Sequence, residues 1–257
     1  MRAHREDASI KRPHTHSLAL LTALLAAAFL LRIMQLGDVP LRGDEAFAVR
    51  YWADDPATVV RDLAQWEPHP LGTFLSFWVW KSAAGSSEFA MRALSLLGGW
   101  LGVAATGALA RSLLHSRRAA LVALALAAVH PSLIWHAQDA RNYALWFGAS
   151  SLAMGLFLRA TARNRRRDWA LYLIAETAAL YFFFLEAFLL VVQAAYLLVA
   201  RRPRRVVMAA LRTWLILGIL LLPWLVQAWY LAQSGYEGAT SDAAPVSSAV
   251  TGATLTG

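Results

Sequence analysis

The sequence predicts an all-α, polytopic transmembrane helical bundle of about seven spans, with an extracytoplasmic loop carrying an amphipathic helix after the first span. Three observations predict it. Hydrophobic residues make up 58% of the chain and charged residues 16%, with a mean hydropathy of +0.46. Soluble domains of this length carry more charge and fewer Leu and Ala. Apolar runs of ~17–25 residues, enough to cross ~30 Å of hydrocarbon, recur along the chain. Basic clusters fall at every second connection, as the positive-inside rule requires.

The elements follow in order. Arg2, Arg5, Lys11 and Arg12 mark residues 1–16 as a cytoplasmic basic N-terminus. The predicted spans are 17–36, 89–113, 119–135, 143–160, 169–184, 186–200 and 206–230, forming one transmembrane domain over 17–232. The first run is longer than a signal-peptide core and lacks a clean cleavage site, so it is expected to be retained. The loop 38–88 has more acids than bases and is placed outside. In its "DDPATVVRDLAQW", Pro56 suits a first helical position, and Val59, Leu63 and Trp66 recur at i, i+4 and i+7. That spacing predicts a short helix lying on the membrane surface. "PLGTFLSFWVWK" then supplies aromatics suited to the headgroup interface. Arg117 and Arg118, "RNRRRD" and "RRPRR" fill the inward connections. No polar loop divides Trp169 to Ala200, so the boundary between the fifth and sixth spans is set by length alone. Residues 233–257 are small, polar and turn-rich, and read as a flexible extracytoplasmic tail.

Composition also excludes functions. A net charge of +8 would suggest nucleic acid in a soluble protein. Here the bases sit at membrane edges without interleaved aromatics, so no nucleic-acid partner is expected. With no cysteine there is no disulfide framework, thiolate metal site or thiol nucleophile. The chain has no phosphate-binding Gly loop, serine elbow or paired His at metal spacing. His130 and His136 do not share a helical face.

Three polar clusters converge on the predicted outer face: "RGDEAF" (42–47), "EPHP" (67–70) and "QDARNY" (138–143). Asp44 or Glu45 suits a general base on an acceptor hydroxyl, or a divalent-cation ligand such as for Mg or Mn. Taken alone, the same pair better suits an N-cap and first-turn acid of the helix that follows. His69, between two prolines, has a stiff backbone that could orient a substrate, or is simply a turn residue. Arg141 offers a planar fork for phosphate or carboxylate, with a local ion pair to Asp139 as the plainer alternative. Gln138 and Tyr143 add hydrogen-bonding groups. Glu176, within the fifth span, must face the bundle interior. Glu186 marks the next turn, and Arg32 and Arg92, near outer ends of spans, could snorkel to the interface and need no function.

"LRGDEAF", "EPHPLGTFLSFWVWKSAAGSSEFAMRALSLLGGWLGV" and "HPSLIWHAQDARNYALW" together resemble the opening half of polytopic GT-C glycosyltransferases. The nearest branch is the bacterial one allied to protein mannosyltransferases and lipid A aminoarabinose transferases. The resemblance implies an enzyme of the bacterial inner membrane, N-terminus cytoplasmic, that acts at the outer face. It would move a sugar from a polyprenyl-phosphate donor in the membrane lipid to a hydroxyl of a protein, lipid or glycan. By position, Asp44 would be the base and Glu45 its neighbour for acceptor positioning or a metal. His69 would form the acceptor side, while Arg141, with Gln138, Asp139 and Tyr143, would hold the donor. Relatives often carry Thr-His where this chain has "YFFFLEAF", which makes Glu186 the candidate substitute. Relatives also continue with further spans beyond the region of resemblance, 18–232. A catalytically incomplete fragment, completed by a second polypeptide that supplies those spans, is therefore the alternative expectation. A transporter, with Glu176 as its coupling residue, is the third.

Overall fold

The structure, a computed structural model, describes residues 14–46, 55, 57, 60–61 and 70–233. The readings made for the N-terminus up to residue 13, most of the surface helix, His69 and the tail beyond Gln233 lie outside the described residues. What is described is helical, with no strand among the described residues, in agreement with the expected class.

Helix α1 runs from His14 to Ile33, α2 from Gly72 to Ala84 and α3 from Glu88 to Leu114. A break at His130 divides α4 (Arg117–Val129) from α5 (Pro131–Ala137). Next come α6 (Asn142–Arg163), α7 (Arg166–Phe182), a 3-10 turn at Phe184–Glu186 and α8 (Ala187–Val199). Helices α9 (Arg204–Leu220) and α10 (Leu222–Gln233) complete the order. The ends are written in the sequence. The Ser87 and Ser116 hydroxyls accept the N–H groups of Ala90 and Ala119, capping α3 and α4. His115 and Asn164 close α3 and α6 in left-handed conformations, with φ of 52° and 48°.

Helix α3 is the axis. Its most extensive contacts are with α6, and α6 in turn packs along α7. Glycine permits the closest approach: a Cβ on Gly148 would lie 2.5 Å from the Gly98 carbonyl oxygen, and one on Gly102 would lie 2.3 Å from the Phe147 ring. Gly98 and Gly102 form the small-xxx-small spacing that lets membrane helices pack backbone to backbone.

Among the described residues, α3 alone is long and apolar enough to cross a membrane unaided. The pairs α4–α5 and α9–α10 pass the same test as broken spans, bent by 60° and 54°. The expected spans 119–135 and 206–230 are therefore not straight, and proline is the cause. Pro131 offers no N–H to the Ala127 carbonyl, and Pro223 none to that of Ile219. Arg32, expected to snorkel, is instead wholly buried against the first of these breaks. Its guanidinium donates to the carbonyls of Ala127 (3.1 Å) and Ala128 (3.0 Å), and to that of Ala28 (2.9 Å) in its own helix. It thereby meets acceptors that the kink leaves open and sits where the helix dipole favours a cation. At the second break, the Tyr181 hydroxyl donates to the Leu220 carbonyl at 2.7 Å.

The apolar run from Trp169 to Ala200 is divided at Phe183, whose φ of −156° and ψ of 122° interrupt the helix before the 3-10 turn. Beyond it, Phe188, Val191, Leu198 and Val199 on α8 and Leu215 and Ile219 on α9 are each more than half exposed. Water does not tolerate a contiguous apolar face of that extent; a bilayer does. Inside, Glu176 is fully buried, as expected. Trp214 Nε1 donates to the Tyr172 hydroxyl (2.8 Å), Tyr172 donates to Gln193 Oε1 (2.5 Å), and Gln193 Nε2 donates to Glu176 Oε2 (3.1 Å). One hydrogen-bonded chain thus joins α7, α8 and α9.

Candidate functional site at the N-terminal end of α3

The site is assembled by Arg92, one turn into α3. Expected to snorkel, it is 1% exposed, and all five of its N–H donors are engaged. Nε and Nη2 grip the two oxygens of Glu45 at 2.9 and 2.8 Å. Nη1 donates to the carbonyls of Leu36 (3.0 Å) and Val39 (2.8 Å), and Nη2 also to that of Pro40 (3.1 Å). The chain leaving α1 is folded over one guanidinium.

Glu45 is fully buried. Besides Arg92, it accepts the backbone N–H of Ala140 at 2.8 Å and that of Arg42 at 2.9 Å. Burial works against its charge, but the hydrogen bonds from Arg92, Ala140 and Arg42 win and hold the carboxyl at about 2. Ala140 lies 95 positions along the chain, so this one carboxylate locks the turn after α1 to the turn between α5 and α6.

That lock places the other sequence candidates. Asp44 projects outward, its side chain 83% exposed, 3.9 Å from Arg141 Nη2. Arg141 Nη1 also donates to the Asp44 carbonyl at 3.3 Å. Arg141 thus turns to the distant Asp44, while Asp139 lies 3.9 Å from Arg42. Arg42 in turn sits over the Trp135 ring, 5.2 Å from its centroid. Burial raises the Asp139 carboxyl above its ordinary value, and the neighbouring Glu45 adds to the rise. Gln138 is directed inward: its amide donates to the carbonyls of Met34 (2.9 Å), Arg32 (3.3 Å) and Leu31 (3.4 Å) and so caps α1.

Beside the charged rim lies a cavity of about 200 Å³, lined by Leu133, His136, Tyr143, Trp146, Phe147 and Ser150 among others. Tyr143 packs on His136, ring centroids 4.7 Å apart, and on Phe183 at 5.8 Å. Glu186, fully buried, accepts from Trp146 Nε1 at 2.5 Å. The turn carrying Glu186 is held close because Asn142 Nδ2 and the Thr73 hydroxyl both donate to the Phe182 carbonyl. Asp44, Glu45, Asp139, Arg141, Tyr143 and Glu186 are therefore gathered around one end of α3 and α6.

A divalent cation does not fit the Asp44–Glu45 pair. Both Glu45 oxygens point at N–H donors, and no group of three His, Asp or Glu side chains converges among the described residues. Arg92 and Arg42 were the residues that sequence reasoning missed. Arg92 carried one signal, its cost at bilayer depth, which required a buried partner.

A helical bundle with apolar faces outward and charged turns gathered at one end of its longest helix defines a membrane protein with a polar site at its rim. The particular family follows from its sequence. Residues 68–229, more than half of the chain, match the family described as dolichyl-phosphate-mannose-protein mannosyltransferase, and the chain belongs to that family. It is thus a membrane glycosyltransferase of the GT-C type. No curated protein matches the chain. Asp44 and Glu45 precede the matched segment, so their part in the site rests on geometry.

Proposed function

We propose that this protein transfers a sugar from a polyprenyl-phosphate donor to a hydroxyl acceptor at the extracytoplasmic face of a bacterial inner membrane. The observation that carries this reading is the meeting of Asp44, exposed and acidic, with Arg141, two residues before Tyr143 in the wall of an aromatic-lined cavity. In the reaction, the Asp44 carboxylate accepts the proton of the acceptor hydroxyl as its oxygen bonds to the sugar's anomeric carbon. The bond from that carbon to the donor phosphate breaks, and the polyprenyl phosphate leaves with the electron pair. Arg141 meets the negative charge that grows on this leaving group. Tyr143 and Trp146 provide faces for the sugar, and Glu186 a hydrogen-bond acceptor for its hydroxyls. Glu45, Arg92 and Gln138 position the two turns, and His69 belongs to the acceptor side.

The chain crosses the membrane seven times in this reading: α1, α3, α4–α5, α6, α7, α8 and α9–α10. Residues 1–16 stay in the cytoplasm and 233–257 outside. From Arg92 to Arg111, α3 rises roughly 28 Å at 1.5 Å per residue, about one hydrocarbon thickness. One helix therefore carries the site at one end and a basic connection at the other. The test is transfer from radiolabelled polyprenyl-phosphate sugars in membranes. Asp44→Asn and Arg141→Ala should each lower transfer by about 100-fold or more without changing insertion. Full activity in both variants overturns the assignment.

A further inference from the structure

A well-formed groove lies at the other end of α3, away from the charged site. Its volume is about 380 Å³, within the range of small-molecule pockets. Helices α1, α3 and α4 wall it: Leu18, Leu21 and Leu25 on one side, Ala104 and Ala108 on the second, Leu121 on the third. Leu18 is 61% exposed, so the groove opens sideways into the surroundings of the bundle. Its polar atoms are confined to one end, where Ser17 begins the wall from α1, Arg111 lies in the last turn of α3, and Arg117 opens α4. Both arginines are exposed.

Apolar walls ending in two cations match an amphiphile of opposite charge. The side opening excludes a water-soluble ligand, because Leu18 and its neighbours face hydrocarbon. The occupant also needs its phosphate at the basic end, whereas a donor used at the Asp44–Arg141 rim has its phosphate at the opposite end. We infer that this groove holds one anionic diacyl phospholipid of the cytoplasmic leaflet, with an acyl chain along the Leu18–Leu25 wall and the phosphate on Arg111 and Arg117. The inference rests on the membrane topology and not on sugar transfer.

The test is native mass spectrometry of the full chain, delipidated and titrated with dioleoylphosphatidylglycerol or dioleoylphosphatidylcholine. The wild type should retain one phosphatidylglycerol in preference to phosphatidylcholine, and salt should erode the preference. R111Q/R117Q should weaken phosphatidylglycerol binding roughly 30-fold and abolish the preference. R111K/R117K, which keeps the charge, should restore it. Ala108→Phe, which fills the groove and leaves both arginines, should weaken both lipids. R166Q/R167Q, exposed bases outside the groove, should leave binding within about twofold. Unchanged binding in R111Q/R117Q or Ala108→Phe, or an equal loss in R166Q/R167Q, overturns the site. Sugar transfer in the same preparations reports separately on the proposed reaction.

Discussion

The two neighbouring acids after α1 should behave in opposite ways when each loses its charge. Glu45→Gln keeps the size of the side chain but replaces one carboxylate oxygen by an amide NH2. Each Glu45 oxygen faces an Arg92 donor, and each also faces a backbone N–H, from Ala140 or from Arg42. Whichever way the amide turns, its N–H groups therefore meet two donors, and the buried Arg92 loses its counter-charge. Breaking a buried ion pair from one side costs about 3–5 kcal/mol. The carboxyl held at about 2 gives an independent figure: displaced from its ordinary 4.5, it is worth on the order of 3 kcal/mol at neutral pH. The two routes agree. For a chain of this size that corresponds to a melting-temperature loss of roughly 10 °C, measurable by tryptophan fluorescence of detergent-solubilised protein. Asp44→Asn, at a side chain 83% exposed, should move stability by no more than about 0.5 kcal/mol while removing transfer. A stable Glu45→Gln beside an unstable Asp44→Asn would refute the division into positioning and reacting acid.

Acid should reveal the same lock. Because the folded carboxyl of Glu45 lies below its unfolded value, its contribution is complete above about pH 4.5 and is lost as pH falls toward 2; Glu45→Gln should lack this part of the stability slope in acid titrations. Arg32→Met should cost about 2–4 kcal/mol in denaturant titration, since it strands the buried carbonyls of Ala127 and Ala128. Gly148→Ala places a methyl 2.5 Å from the Gly98 oxygen and should cost about 1–3 kcal/mol. Gly155→Ala, in the same helix and with open space at its Cβ, should be neutral or stabilising by up to about 1 kcal/mol.

The class of fold was legible because hydropathy and charge alternation act over whole segments. Local bends were less so, although their cause was present. Pro131 and Pro223 each remove one donor, but whether the helix kinks or ends depends on who meets the freed carbonyl. Arg32 does so from a segment 95 residues away in sequence, a partner no local pattern announces. The Gly98-xxx-Gly102 spacing, by contrast, could have been read as the α3–α6 seam from sequence alone. For the site, chain order placed 42–45 and 138–141 on one face by alternation. Which acid of the pair turns inward was invisible, because Asp44 and Glu45 are equally polar and differ only in reach. Glu45 has the extra methylene that spans to Arg92.

The inward turn of Glu45 explains how an acid in the short helical turn at 43–46 could serve as a precise base. A carboxylate on a free loop would meet its substrate only after the loop had been ordered, at an entropic cost for each residue fixed. Here that ordering is already made. Arg92 is rigid on α3, Glu45 is fixed to Arg92, and Ala140 is fixed to Glu45, so Asp44 and Arg141 are each one residue from a clamped position. Their separation is set by backbone held at both ends, which is the form of preorganisation that supports proton transfer and charge stabilisation at a water boundary. Asp44 keeps its exposure, and hence access to an incoming hydroxyl, because its neighbour carries the burial. In the proposed reaction the pair of adjacent acids is one device: the longer side chain anchors, and the shorter, exposed beside Arg141, is the one that reacts.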